Sequence, residues 1–339
     1  MKDFDRLDFT VAICTYNGAT RLPRVLERLR GCYQYMCNQP IDLRWEVVVI
    51  DNNSDDDTPN VVAAYQAQGF ADRPLHYVRE TTQGLAYARQ RAIHTASGSI
   101  VGFLDDDNLP APDWVIAAYQ FMVAMPRAAV IGSRVLPEYE GEPPPEFDRI
   151  CGFLALTDRG DRPLLYQPAA RVLPPGAGLV VRRDLWLQLV PAHLELIGRV
   201  GDRMLASEDL EAILHLQQAG WEIWYNPEMV VHHHIPRWRL TEEYLSKLMY
   251  GIGLSRYRTR MMKYAPWQQL PMLAVYTASD LSRLVRHRWH YGRDWRSRVV
   301  AIAQRQLYLG SLHGMGLAVK QLAIKAWGKV YAPSRSRLK

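Results

Sequence analysis

Residues 99–108 read Ser-Ile-Val-Gly-Phe-Leu-Asp-Asp-Asp-Asn. An apolar run that ends in a burst of carboxylates describes a strand buried on both faces, with polar side chains delivered at its carboxyl end. The same design recurs upstream. Phe9 to Cys14 ends at Thr15-Tyr16-Asn17-Gly18, and Glu46 to Ile50 runs into Asp51-Asn52-Asn53-Ser54. Helical patterns lie between these runs. Leu22, Val25, Leu26, Leu29, Tyr33 and Met36 recur at steps of three and four, which makes one buried stripe, with Thr20 as the expected cap. Thr58-Pro59 opens a second helix, with the threonine as cap and proline at its first turn. Leu75 to Arg79 reads as a further strand, Leu85 to Ala96 as a helix, and Pro110 and Pro112 start another. Alternating strands and helices predict an α/β fold with a Rossmann-like, mostly parallel sheet flanked by helices.

Beyond Gly132 the pattern loosens. Pro137 to Phe147 reads as a mobile acidic loop without a core of its own, and Gly176-Ala-Gly178 leads into a strand over Leu179 to Val181. Ser207-Glu208-Asp209 heads a helix that Gly220 closes, and Trp221–Tyr225 and Met229–His233 read as the last two strands. From Thr241 onward the sequence is helical. The expected division is an α/β domain over residues 1–240 and a basic, amphipathic, membrane-associated helical region over 241–339.

The chain has 339 residues, 48% of them hydrophobic, enough to fill a real core, so disorder and low-complexity structure are excluded. Its net charge of +6 is unevenly spread: residues 1–236 carry −10 and residues 237–339 carry +16. A tail with that excess, rich in tryptophan and leucine, fits an anionic surface, and basic aromatic helices favour the membrane interface. Uncharged stretches such as Leu307 to Val319 are too short to span a bilayer. The amino terminus has no apolar leader, and Cys14, Cys32, Cys37 and Cys151 form no disulfide framework. The expectation is a cytoplasmic protein, peripheral at the inner face of the plasma membrane.

Open parallel sheets bind ligands at the carboxyl ends of their strands. Three polar clusters fall there: Thr15-Tyr16-Asn17, Asp51-Asn52-Asn53 and Asp105-Asp106-Asp107. Carboxylates held so close raise one another's pKa unless a cation neutralises them. Mg²⁺ or Mn²⁺ does so while sharing the carboxylates with a substrate's phosphates. Neither a P-loop nor a GxGxxG turn is present.

Five segments, Val11-Ala-Ile-Cys-Thr-Tyr-Asn-Gly18, Val49-Ile-Asp-Asn-Asn-Ser54, Gly84-Leu-Ala-Tyr-Ala-Arg89, Phe103-Leu-Asp-Asp-Asp-Asn108 and Ser207-Glu-Asp209, come in the order seen in family 2 glycosyltransferases. The resemblance covers roughly residues 8–260 and looks closest to the enzymes of hormogonium polysaccharide synthesis. It implies a GT-A fold, a hexosyltransferase-type activity, a nucleotide-sugar donor (most often a UDP-sugar), a divalent metal and inversion at the anomeric carbon. By the same resemblance Thr15, Tyr16, Asn17, Asp51, Asn53 and Arg89 line the nucleoside, with Asp105 and Asp106 by the ribose and metal. Asp107 is the main metal ligand, with Asp105 and His233 of the His232–His234 triplet beside it, and Asp209 is the general base with Glu208 adjacent. Two departures stand out: Asn52 replaces a second acidic residue after the second strand, and the Asp-x-Asp motif is a run of three. The implied partners are the donor, a glycan or polyprenyl-linked acceptor and the cytosolic membrane surface, with no nucleic acid.

Two other readings compete. A sugar nucleotidyltransferase would carry a glycine- and lysine-rich loop after the first strand, where this chain has one glycine and no lysine between Thr15 and Thr20. A nucleic-acid binder would act through the basic tail, and a salt series on polynucleotide against anionic liposomes separates that reading from membrane binding.

Overall fold

The computed structural model describes residues 7–70, 74–168, 172–198 and 207–330, with side chains up to residue 320. The chain falls into two compact units, divided between Thr241 and Glu242.

In chain order the first unit contains β1 (Phe9–Thr15), α1 (Leu22–Cys37), β2 (Trp45–Asp51), α2 (Thr58–Ala67), β3 (Leu75–Arg79), α3 (Leu85–Thr95), β4 (Ile100–Asp105) and β5 (Asn108–Pro110). It continues with α4 (Trp114–Ala124), β6 (Ala128–Tyr139), β7 (Leu164–Leu165), β8 (Val180–Arg182), α5 (Arg183–Leu189), α6 (Glu208–Gln218) and β9 (Glu222–Ile235). One sheet runs β3-β2-β1-β4-β8-β6-β9-β5, with β7 also on β9. The β3-β2-β1-β4 half is parallel, and β8 enters antiparallel between β4 and β6.

Alternation along the central strands builds the two sides of the core. Val11, Ile13, Val47 and Val49 face the apolar stripes of α1, α2 and α4, while Ala12, Cys14, Val48 and Ile50 face α3, α5 and α6. A strand covered on both faces has to be apolar throughout, which is why β1 and β2 read as continuous hydrophobic runs. All four cysteines are free, and burial pushes the Cys14 thiol up to about 12.

Several expectations are corrected. α1 starts after Arg21 rather than at a Thr20 cap, and the Arg21 guanidinium, which can only donate, leaves the helix N–H groups uncapped and goes to Asp106. Asp57, not Thr58, holds the cap position of α2, because Thr58 Oγ1 is occupied by the Gly18 N–H and by Asp56. The start of the acidic loop is strand: β6 runs through Pro137 to Tyr139, and Glu138 and Glu140 are matched by Arg24 and His234. Phe147 is buried, so the segment does have packing of its own. The two last strands are one strand, β9, paired to β6 with an irregularity near Asn226-Pro227 that mimics a break. β5, β7 and α5 are too short for any periodicity to reveal.

The second unit is helical: α7 (Glu242–Met261), α8 (Pro266–Tyr291) and α9 (Val299–Val330). α7 and α9 approach closely through glycines. A Cβ on Gly310 would lie 2.2 Å from the Tyr250 carbonyl oxygen, and one on Gly314 would lie 2.5 Å from that of Leu254. Gly314, which carries no motif, is thus explained by packing. Asp280 is fully buried and paired with Arg260 at 2.6 Å and Ser311 at 2.6 Å. No described helix is long and apolar enough to cross a membrane.

Candidate active site

The carboxyl ends of β1, β2 and β4 bring Thr15, Asp51 and Asp105 level in register, since Thr15 pairs with Asp51 and Cys14 with Asp105. Each carboxylate of the triplet then meets a different cation. Asp105 Oδ1 is 3.8 Å from Arg89 Nη2. Asp106 accepts from Arg21 Nε at 2.7 Å and Nη2 at 2.9 Å, and from the Thr15 hydroxyl at 2.6 Å. Asp107 accepts from Arg239 Nη1 at 2.7 Å and from Asn108 Nδ2 at 2.9 Å. Burial raises Asp106 despite its arginine. Burial works on Asp107 in the same direction, but His233 and Arg239 beside it win and hold that carboxyl far below the usual range.

β9 supplies the histidine. Antiparallel pairing sets Asn108 opposite His233, and alternation along the strand buries His233 while His232 and His234 point to the other side. His233 Nε2 lies 3.6 Å from Asp107 Oδ2, and His234 goes instead to Glu138 and Glu140. His233 Nδ1 is 2.9 Å from the Leu154 carbonyl, which can only accept, so Nδ1 carries a proton and Nε2 is the nitrogen that faces Asp107. A backbone carbonyl behind a ring N–H is how metal-binding histidines are commonly oriented.

These residues fit a divalent cation. A carboxylate and an imidazole nitrogen converge on one spot, which the Arg239 guanidinium occupies, 2.7 Å from Asp107 and 3.2 Å from His233. Among the described residues no three His, Cys, Asp or Glu side chains form a complete cage. Further ligands would have to come from phosphate oxygens and water, the ordinary state of Mg²⁺ at a phosphate substrate.

On the β2 side, Asp51 is fully buried, with one oxygen on the Tyr77 hydroxyl at 2.6 Å and the other on the Ser54 N–H at 2.8 Å. Asn52 explains why an amide replaces an acid here. Its Nδ2 donates to the Thr82 carbonyl at 2.7 Å while its Oδ1 accepts from the Gly84 N–H at 2.8 Å, a pair of roles no carboxylate can fill. It pins the loop that starts α3 and so aims Arg89. Asn17 and Asn53 both hold left-handed backbone, at φ 48° and 67°, and Tyr16 is 45% exposed at the rim. Gly18 is obligatory, because a Cβ there would sit 2.0 Å from Thr15 Oγ1 and 2.6 Å from Asp106 Oδ2.

Arg89 is 3% exposed and joins the strand tips to the start of α6, with Glu208 at 3.4 Å on its other side. A Cβ on Gly176 would fall 2.2 Å from Arg89 Nη2, so that glycine exists for the guanidinium. The Gly176 N–H donates to Asp209 Oδ2 at 2.5 Å, which fixes Asp209 at the first turn of α6. Ser207, just before it, holds a left-handed φ of 85°. Strain of that kind gathers at functional sites.

The structure therefore brings Asp107 and His233 together, and Arg89 with Asp105 and Glu208. Arg21 and Arg239 escaped the sequence reading. Arg239 could have been sought in the basic Arg237-Trp-Arg239 that follows the histidines, whereas nothing local marks Arg21.

Residues 10–184 match the family described as Glycosyl transferase family 2, and residues 100–326 match Glycosyl transferase family group 2. The chain is 22% identical over 249 residues to the glucosyl-dolichyl phosphate glucuronosyltransferase of Haloferax volcanii, covering 73% of this chain and 75% of that one. It is 25% identical over 252 residues to the succinoglycan biosynthesis protein ExoM of Rhizobium meliloti, covering 74% of each. Among solved structures, the mannosyltransferase PcManGT of Pyrobaculum calidifontis, in complex with GDP-Man and Mn²⁺, superposes with a TM-score of 0.54 at 21% identity, over 98% of this chain and 83% of that one. The sheet topology, the acidic strand tip and the match over more than half its length make this chain a member of glycosyltransferase family 2, with a GT-A-like fold.

Proposed function

We propose that the enzyme is a metal-dependent, inverting transferase that moves a sugar from a nucleoside diphosphate donor, a UDP-sugar, to a hydroxyl of a glycan or lipid-linked acceptor during polysaccharide assembly. The observation that carries this reading is the convergence of Asp107 and His233 on a cation position at the tip of the parallel sheet. The relative named for succinoglycan biosynthesis supports the class of product.

In this reading Asp107 and His233 hold Mg²⁺ or Mn²⁺ with the donor's diphosphate, and Asp105 stands by to complete the set. The bound metal supplies charge neutralisation on the departing diphosphate. Arg239, released from Asp107, is a second cation for the same oxygens. Tyr16 offers a ring for the base, and Thr15, Asn17 and Asn53 shape the rim around it. Asp51 and Asp106 have their carboxylate oxygens committed to protein partners, Arg89 is held between Asp105 and Glu208, and all three work through the groups they hold. Asp209 accepts the acceptor hydroxyl's proton as that oxygen attacks the sugar C1 and the nucleotide leaves from the opposite face. Glu208 keeps Arg89 in place beside it.

The test is calorimetry of UDP with and without Mn²⁺, joined to a screen of nucleotide-sugar hydrolysis. Wild type is expected to bind UDP at least tenfold more tightly with Mn²⁺, and Asp107→Ala to lose that gain. Asp209→Asn is expected to bind normally and lose transfer. Metal-independent UDP binding in wild type would refute the reading.

A further inference from the structure

Outside the catalytic unit, the exposed face of α8 is apolar along its length. Trp267, Leu270, Ala274, Leu281, Val285 and Trp289 follow at steps of three, four or seven, so they share one side of the helix. All are exposed, Trp267 to 77% and Trp289 to 83%. The opposite side is committed to the helical unit through Leu273, Tyr276, Asp280 and Tyr291. Twenty-six residues of helix extend about 39 Å, with a tryptophan near either end.

At the carboxyl end of this stripe lies a pocket of about 490 Å³ lined by Arg288, Arg293, Arg296 and Arg305 together with Trp295 and His287. Arg296 and Arg305 both lie over the Trp295 ring, at 5.3 and 4.9 Å from its centroid. The indole, rather than an acid, holds them. Among the described residues no carboxylate forms an ion pair with any of the four, although Asp294 is their sequence neighbour. Four guanidinium groups gathered without a counter-charge repel one another, and an anion with several oxygens relieves that repulsion through paired N–H···O contacts.

We infer that α8 lies flat in the surface of an anionic bilayer, its stripe sunk to the acyl boundary, and that the arginine pocket takes the phosphate of a lipid headgroup. Two features on the same element select a lipid over a soluble phosphate. The apolar stripe needs a hydrocarbon surface, and tryptophan at both ends suits the depth where headgroups meet acyl chains. No described helix can cross the bilayer, so the contact is in-plane. The inference is independent of the donor chemistry.

The experiment uses the full chain and flotation with vesicles of phosphatidylcholine, alone or mixed with phosphatidylglycerol. Binding is expected only with phosphatidylglycerol. Arg293→Gln with Arg296→Gln should weaken it about twenty-five-fold, at roughly fivefold per arginine, and Trp267→Ala with Trp289→Ala should weaken it at least as much. All four positions are exposed, so circular dichroism should be unchanged. Bromine-labelled lipid should quench the wild-type fluorescence and quench Trp289→Phe less. Four results would overturn the inference: equal binding to neutral vesicles, displacement by millimolar inorganic phosphate with the tryptophan variant unaffected, retention on polynucleotide unaffected by the tryptophan changes, or a dimer in solution that Trp289→Ala dissolves.

Discussion

Arg239→Met tests the central arrangement without touching a proposed ligand. The Arg239 side chain is 17% exposed and that of Asp107 is 7% exposed, at 2.7 Å from each other. Removing one partner of a buried pair costs about 3–5 kcal/mol. Two features reduce that figure here: the arginine is not fully desolvated, and His233 remains 3.6 Å from the carboxylate. The loss is therefore about 2–3 kcal/mol. At roughly 2–4 °C per kcal/mol for a unit of this size, the melting temperature falls by about 4–12 °C. The variant also leaves Asp107 and His233 open, whereas in wild type the guanidinium must first leave. Mn²⁺ alone should then raise the melting temperature of Arg239→Met more than that of wild type. Thermal unfolding by circular dichroism, in EDTA and in Mn²⁺ at one ionic strength, reads both effects. A variant that melts with wild type in EDTA, or an equal Mn²⁺ shift in the two proteins, would refute the reasoning.

Four further outcomes are expected. Gly176→Ala drives a methyl into the Arg89 guanidinium, so it should cost about 1–3 kcal/mol in denaturant titration and most of the transfer rate. Asp280, lowered because Arg260 and Ser311 outweigh its burial, contributes stability that is complete above the ordinary carboxylate range and is lost as pH falls through its depressed value. Asp280→Asn should accordingly be less stable than wild type at pH 7, with the gap closing in acid; a gap that is constant with pH would contradict this. Under native conditions a thiol reagent should label exposed Cys37 first, leaving Cys14 and Cys32 protected until unfolding, as mass spectrometry of quenched samples will show. Asn52→Asp keeps an acceptor for the Gly84 N–H but loses the donor to Thr82, so it should loosen the loop before α3 and accelerate amide exchange there.

How far the sequence reaches depends on distance along the chain. The α/β class is legible because β1, β2 and β4 are buried on both faces and carry their polar residues at one end. β5 and β7 have three and two residues, too few for a period. β9 looked like two strands because Asn226-Pro227 interrupts its pattern, while the pairing with β6 that joins them lies some ninety residues away. Helix α1 shows the competition at short range: Arg21 occupies the cap position, yet its side chain answers Asp106, 85 residues on. The acidic triplet was visible as a cluster. Its partners were not, since Arg239 reaches Asp107 across 132 positions. Asn52 looked like a departure from a pattern and proves to be a two-way hydrogen-bond bridge that only the loop's fold reveals.

The pairing of β5 with β9 bears on how the protein is made. A nascent chain emerging from the ribosome can form β1 through β4 and their helices from the first hundred-odd residues, a largely local assembly. The strand that carries His233, and the turn that carries Arg239, arrive only after more than a hundred further residues have been synthesised. Until then Asp107 stands at the tip of a partly built sheet without either neighbour, facing an unpaired edge. Long-range closure of this kind is slow and leaves incomplete species prone to association. Ribosome-bound chains arrested before residue 230 should hold a protected core and no nucleotide affinity, and chains extended just beyond residue 241 should gain that affinity.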